Sequence, residues 1–195
     1  MKEIQAIGVY CSSYDAVSEA YREAARELGQ QLARQKITMI YGGGVQGLMG
    51  EVAHSVMANS GRVIGFMPHH LEEFENPNRE ITELHIVDTM HTRKSLMFEH
   101  SDAFFVLPGG FGTLDEIFEL ITWRQLELHE KPIIFINVND YWNPLKELTK
   151  NIFDQHFAKP EHKKYFKFVD SVPEAFEALF KAPEPTTHEP VADWV

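Results

Sequence analysis

Short apolar runs alternate along the chain with longer stretches whose apolar positions recur every three or four residues. The runs at residues 4–10, 37–41, 62–67, 84–87, 103–107 and 132–137 are bounded by polar or turn-forming residues and predict strands. The stretches at 16–35, 46–60, 89–101, 113–129, 141–157 and 172–180 predict helices; in the first, Ala20, Ala24, Leu28 and Leu32 repeat at i+4. Residues 68–79 hold two prolines and two asparagines in a polar setting and predict a mobile loop or short irregular helix. Nearly continuous apolar strands are buried on both faces. Their alternation with helices therefore predicts an α/β fold, a Rossmann-like doubly wound and mainly parallel sheet with helices on both faces. Such sheets bind ligands beyond the carboxyl ends of their strands. Three predicted loops lie there: Cys11-Ser12-Ser13, residues 42–50 and residues 108–113.

The length of 195 residues suits one well-cored domain, expected over residues 1–181. Residues 182–195 contain three prolines and few core residues, and are expected to form a loose tail. A formal net charge of −11 argues against nucleic acid or an acidic membrane surface as the main partner. The single cysteine, Cys11, excludes an intrachain disulfide framework and fits a reducing compartment; its place at the end of the first strand suits a core thiol better than a nucleophile. The first residues lack the basic, apolar and small-residue succession of a signal peptide, and no apolar run approaches a membrane span. A soluble, cytoplasmic protein is the expectation.

Candidate chemistry concentrates in Pro108-Gly109-Gly110-Phe111-Gly112-Thr113-Leu114-Asp115-Glu116, between a predicted strand and helix. Glycines let a backbone approach a phosphate closely, and a helix start supplies free N–H groups and a positive dipole. A second loop, Tyr41-Gly42-Gly43-Gly44-Val45-Gln46-Gly47-Leu48-Met49-Gly50, has neither the lysine and hydroxyl of a P-loop nor the spacing of a dinucleotide fingerprint. Alone it reads as a tight turn; two such loops on one sheet edge favour a phosphate site. In Asp88-Thr89-Met90-His91-Thr92-Arg93-Lys94-Ser95, Asp88 or Thr89 can cap a helix whose first turns then carry Arg93 and Lys94. Cations there oppose the helix dipole, and broken local rules often mark functional sites. Thr113 and Glu116 match a capping box, which is at least as good a reading of Glu116 as catalysis. A carboxylate in a first helical turn is favoured in its ionised form, so Glu116 suits a base or a stabiliser of positive charge. The ten histidines show no metal spacing, and Ser12 and Ser13 lack a nucleophile elbow.

Taken together these residues resemble the LOG (Lonely Guy) family of cytokinin riboside 5′-monophosphate phosphoribohydrolases. The family hallmark Pro-Gly-Gly-x-Gly-Thr-x-x-Glu stands at residues 108–116, and Met-His-x-Arg-Lys at residues 90–94. Phe98-Glu99-His100-Ser101-Asp102-Ala103-Phe104, Ile121-Thr122-Trp123, His129-Glu130-Lys131-Pro132 and the loop 41–50 also look like the family. The resemblance runs in register from about Ile7 to Leu148. Phe111 stands where tyrosine is common, Ser95 where alanine is and Glu127 where glycine is; the stretch 71–79 looks divergent, which bears on substrate preference. Some members carry an older lysine decarboxylase label, but the motif does not support that chemistry and no cofactor lysine is evident.

The resemblance implies hydrolysis of the N-glycosidic bond of a nucleoside 5′-monophosphate, either N6-prenylated AMP or AMP, giving free base and ribose 5-phosphate. It implies Arg93 and Glu116 as the catalytic pair, with the turn of Gly109, Gly110, Phe111, Gly112 and Thr113 around the phosphate. Substrate contacts are implied for Glu80, Met90, Lys94, Thr122 and the loop glycines Gly42, Gly43 and Gly44. No metal or cofactor is required, and a homodimer is expected. The alternative is a non-enzymatic carrier of a phosphorylated ligand such as molybdenum cofactor, whose carriers have a similar glycine-rich loop.

Overall fold

A computed structural model describes residues 4–181; residues 1–3 and the expected tail lie outside the described residues. Seven strands form one sheet: β1 (Ala6–Tyr10), β2 (Thr38–Tyr41), β3 (Val63–Pro68), β4 (Glu83–Val87), β5 (Ala103–Val106), β6 (Ile133–Ile136) and β7 (Lys167–Val169). Every pairing is parallel, in the order β4-β3-β2-β1-β5-β6-β7. The expected doubly wound α/β architecture is therefore present, with the order reversing between β1 and β5. The short edge strand β7 was not predicted.

The described helices are α1 (Glu19–Arg34), α2 (Gly47–Ala58), α3 (Glu72–Glu75), α4 (Met90–Glu99), α5 (Phe111–Gln125), α6 (Asn143–Asp154) and α7 (Val172–Phe180). Strand alternation sends side chains to two separate cores. Ile7, Val9, Ala103 and Phe105 pack with α1, α2 and α7. Tyr10, Phe104 and Val106 pack on the other face with α4, α5 and α6. Both faces are covered, which is why the central strands show no polar positions.

Two helix boundaries matter for the site. α4 begins after Thr89, whose Oγ1 accepts a 3.0 Å hydrogen bond from the Thr92 N–H, so the expected cap forms. α5 begins at Phe111 with Gly110 as its N-cap, two residues earlier than expected. Thr113 is then the third helical residue and Glu116 the sixth, and the expected capping box does not form. At its far end α5 stops at Gln125 rather than residue 129, because Glu127 takes a left-handed conformation at φ 62°. The polar stretch 68–79 holds a 3-10 turn at His69–Leu71 followed by α3.

Candidate active site

Where the strand order reverses, the chains leaving β1 and β5 border a crevice at the carboxyl edge of the sheet. The two loops are tied together: the Ser12 N–H donates to the Pro108 carbonyl at 3.0 Å. Tyr141, just before α6, braces the second loop by donating from its hydroxyl to the Gly109 carbonyl at 2.7 Å. Between them lies a small open cleft, bordered by Ser12, Tyr14, Glu75, Arg93, Glu116 and the turn 110–113.

The glycines of that turn play different parts. A Cβ on Gly109 would stand 2.1 Å from Thr113 Oγ1, so Gly109 admits the buried Thr113 side chain. Gly110 and Gly112 have nothing within 4 Å of an added Cβ. Their lack of side chains leaves the backbone approachable. The N–H groups of Phe111, Gly112 and Thr113 open α5 without partners inside the helix, and they sit at its positive dipole end. A helix start of this kind is able to receive an anion.

Beneath it, Arg93 from α4 reaches across the strand ends. Its side chain is 6% exposed, and Nη2 lies 3.5 Å from Glu116 Oε1 on α5. On its other side Nη1 lies 3.9 Å from Glu75 Oε2 at the end of α3. Arg93 Nε and Glu75 Oε2 are both buried and make no hydrogen bond among the described residues. Gly42 makes room for the guanidinium, since a Cβ there would stand 2.1 Å from Nη2. One buried cation is thus flanked by two carboxylates.

The Glu116 side chain is 12% exposed. Burial pushes its carboxyl up to about 7; Arg93 opposes this, Asp115 and Glu75 add to it, and Lys94 opposes it. The expectation of a readily ionised helix-end carboxylate is corrected here. Six residues into the helix, desolvation outweighs the dipole. Cys11 also borders the cleft, and burial pushes its thiol well above the usual range, so it stands as a protonated core group.

The family described as "Possible lysine decarboxylase" matches residues 49–179. A cytokinin riboside 5′-monophosphate phosphoribohydrolase of Arabidopsis thaliana is 39% identical over 187 residues, covering 95% of this chain and 86% of the relative. A second from the same plant is 38% identical over 187 residues, covering 96% and 79%. The chain belongs to the LOG family. Among solved structures, the molybdenum cofactor carrier protein of Chlamydomonas reinhardtii superposes with a TM-score of 0.70 at 18% identity, covering 92% of this chain and 98% of that one. The molybdenum cofactor binding protein of Rippkaea orientalis gives 0.69 at 18%, with the same coverage. At that identity the likeness is one of fold.

The other residues carried over from the LOG resemblance are distributed around this centre. Lys94 follows Arg93 on α4, and its Nζ lies 3.1 Å from Glu119 Oε2 and 3.3 Å from Asp115 Oδ2, both on α5. Met90, one turn before Arg93, sets its sulfur 3.8 Å from Arg93 Nη1. Thr122 is exposed two turns along α5 from Asp115, its hydroxyl donating to the Phe118 carbonyl at 2.7 Å. Glu80 is exposed and lines a neighbouring hollow with Arg22, Glu51 and His54, apart from the Arg93–Glu116 cleft. Of the glycine loop, Gly42 faces Arg93, whereas Gly43 lies against Leu84 and Met67, and Gly44 against Met49 and Glu75.

Glu75 is the site residue that sequence reasoning missed. It lies in the stretch expected to be a mobile loop or short irregular helix, amid other acidic or exposed neighbours, and nothing in its spacing separates it from a solvated glutamate. Among the described residues no group of three or more His, Cys, Asp or Glu side chains is placed to hold a metal ion, and no described helix is long and apolar enough to cross a membrane.

Proposed function

We propose that the chain hydrolyses the N-glycosidic bond of AMP or N6-prenylated AMP, releasing free base and ribose 5-phosphate. The observation that carries this reading is the Arg93–Glu116 contact of 3.5 Å beneath the helix start that opens at Gly110. The phosphate occupies the turn 109–113, with Lys94 nearby, which sets the ribose over Glu116. Cleaving the bond develops positive charge on the sugar, and an ionised carboxylate stabilises it most as that charge grows. Arg93 holds Glu116 in place and balances the cluster of carboxylates around it. The substrate class supports this reading further, since the LOG relatives of Arabidopsis thaliana are named for cytokinin riboside 5′-monophosphates.

Incubating the pure protein with AMP and with prenylated AMP is expected to yield free base in both cases, read by chromatography. The kcat/KM is expected to rise with pH through about 7, because Glu116 is protonated below that value in the free protein. A profile flat from pH 5 to 9 would remove Glu116 from the chemistry. Saturable retention of the nucleotide without base release would favour the carrier reading instead.

The family also supports a homodimer. Phe111, Phe118 and Thr122 recur along one stripe of α5 and all are exposed, with Leu126 close by at 60% exposure. An apolar stripe beside the cleft suits contact with a second copy. Light scattering is expected to give twice the mass of the 22.4 kDa chain; a monomer at micromolar concentration would count against it.

A further inference from the structure

One peptide of the glycine turn is held by neither the sheet nor the helix. The Pro108 carbonyl accepts from the Ser12 N–H at 3.0 Å, and the Gly110 carbonyl accepts from the Leu114 N–H at 3.0 Å as α5 begins. Between them lies the peptide that joins Gly109 to Gly110. Its carbonyl is held by the Tyr141 hydroxyl at 2.7 Å, and its N–H makes no hydrogen bond among the described residues. Two glycines flank it, the residues that least resist rotation of a peptide plane. In a trans peptide the carbonyl and the N–H point in opposite directions. Whatever fixes the Gly109 carbonyl therefore fixes the direction of the Gly110 N–H.

The segment that delivers Tyr141 is strained. Asn139 and Asp140 both take left-handed backbone angles, at φ 49° and 59°. Successive non-glycine residues persist there only where the surroundings over-determine them, and such strain gathers at functional sites. Here the surroundings centre on Asn137, which follows β6 and is 2% exposed. Its Oδ1 accepts from the Trp142 N–H at 2.7 Å. Its Nδ2 donates to Asn143 Oδ1 at 3.1 Å and to Asp140 Oδ1 at 3.4 Å. The Tyr141 ring meets Tyr21 of α1 and Trp142 edge to face, with centroids 5.9 and 4.9 Å away. Backbone and ring are both held, which leaves the hydroxyl little freedom.

We propose that Tyr141 is a positioning residue of this site: through the Gly109 carbonyl it keeps the Gly110 N–H turned towards the substrate phosphate, beside the N–H groups of Phe111, Gly112 and Thr113. The inference rests on the reading above, in which the turn takes the phosphate. Tyr141 does not border the cleft and acts only through the peptide it holds. Without the hydroxyl the peptide rotates, and for part of the time its carbonyl oxygen faces the phosphate and repels it. The phosphate keeps its charge throughout the reaction, so the loss falls on binding and not on the chemical step.

Tyr141→Phe removes the hydroxyl and keeps both ring contacts. It is expected to raise KM for AMP about 10-fold with kcat within about three-fold, and to weaken ribose 5-phosphate about 10-fold by calorimetry. The ligand-free melting temperature is expected to stay within about 2 °C of the wild type. In amide NMR spectra, ribose 5-phosphate is expected to shift the Gly110 N–H resonance of the wild type and to shift it much less in the variant. Unchanged affinity for ribose 5-phosphate, a loss confined to kcat, or a Gly110 resonance that responds alike in both proteins overturns the proposal. Wild-type protein that releases no base from AMP, while the variant still loses affinity for ribose 5-phosphate, overturns the hydrolase reading and leaves the role of Tyr141 standing. Wild-type protein that does not bind ribose 5-phosphate overturns both.

Discussion

Glu116→Gln is expected to lower kcat for base release from AMP by about 10³-fold while the protein remains folded. The substitution keeps the volume and removes the charge. The geometry isolates the effect, because Glu116 is not a cap: α5 starts at Phe111 after Gly110 and makes its first turn without it. The stability side has a definite sign. Burial lifts the folded-state pKa of Glu116 above its ordinary value of 4.5 to about 7, so the folded protein holds that proton more tightly than the unfolded chain. Stability contributed by the neutral carboxyl is present at low pH and is lost as pH rises from about 4.5 through 7. Above pH 7 the neutral glutamine escapes this cost, and the urea midpoint of the variant is expected to match or exceed that of the wild type at pH 8. Wild-type turnover in Glu116→Gln would remove the residue from the reaction. A large loss of stability at pH 8 would show that the charge is a structural partner of Arg93 first.

Gly42→Ala is expected to lower kcat by about 100-fold with a circular dichroism spectrum like that of the wild type. The new methyl group would meet the Arg93 guanidinium at 2.1 Å, and Nη2 at that point is also the atom 3.5 Å from Glu116. Arg93 is a flexible side chain, so the main chain has no need to move; the guanidinium shifts, and displacements of about 1 Å in a catalytic group cost on the order of 100-fold. Gly110→Ala serves as the contrast, since its Cβ would meet nothing in the protein and any loss there reports on the approach of the ligand. Full activity in Gly42→Ala would show that the position of Arg93 is uncritical.

β1, β2, β3, β5 and β6 were legible because they are almost wholly buried, which leaves near-continuous apolar runs; β4, at the other edge, was legible from Leu84, Ile86 and Val87 although only Val87 is buried. β7 was not, because Lys167-Phe168-Val169 is three residues long, begins with an exposed lysine and sits at an edge where only one neighbour demands apolar side chains. The start of α5 was misplaced because Phe111 and Gly112 read as turn, and Thr113 with Glu116 carries the letters of a capping box; the helix instead begins on a glycine that has no side chain to cap with. Arg93 was visible as a cation that breaks the dipole rule at a helix start. Its cause, the space left by Gly42 and the two flanking carboxylates, comes from three elements distant in the chain. Sequence position favoured an ionised Glu116, and only its depth beneath the helix start reverses that. Glu75 and Glu80 lie five residues apart in one polar stretch, and spacing offers no means to tell the one that turns inward from the one that faces water.

That same stretch is sewn to the glycine loop at one end only. The Val45 N–H donates to the Asn76 carbonyl at 3.2 Å, the Asn78 N–H donates to the Gly43 carbonyl at 2.8 Å, and Gly44 bridges to Pro77. Glu75 adjoins this seam, whereas His69, His70 and Phe74 stand in solvent ahead of it. The anchored carboxylate and the outlying surface are thereby separated: the exposed positions His69, His70, Glu73 and Phe74 can be exchanged, and a new set of contacts to incoming molecules tried, while the seam holds Glu75 against Arg93. A fold with such a seam can diversify what it accepts while inheriting its reaction unchanged.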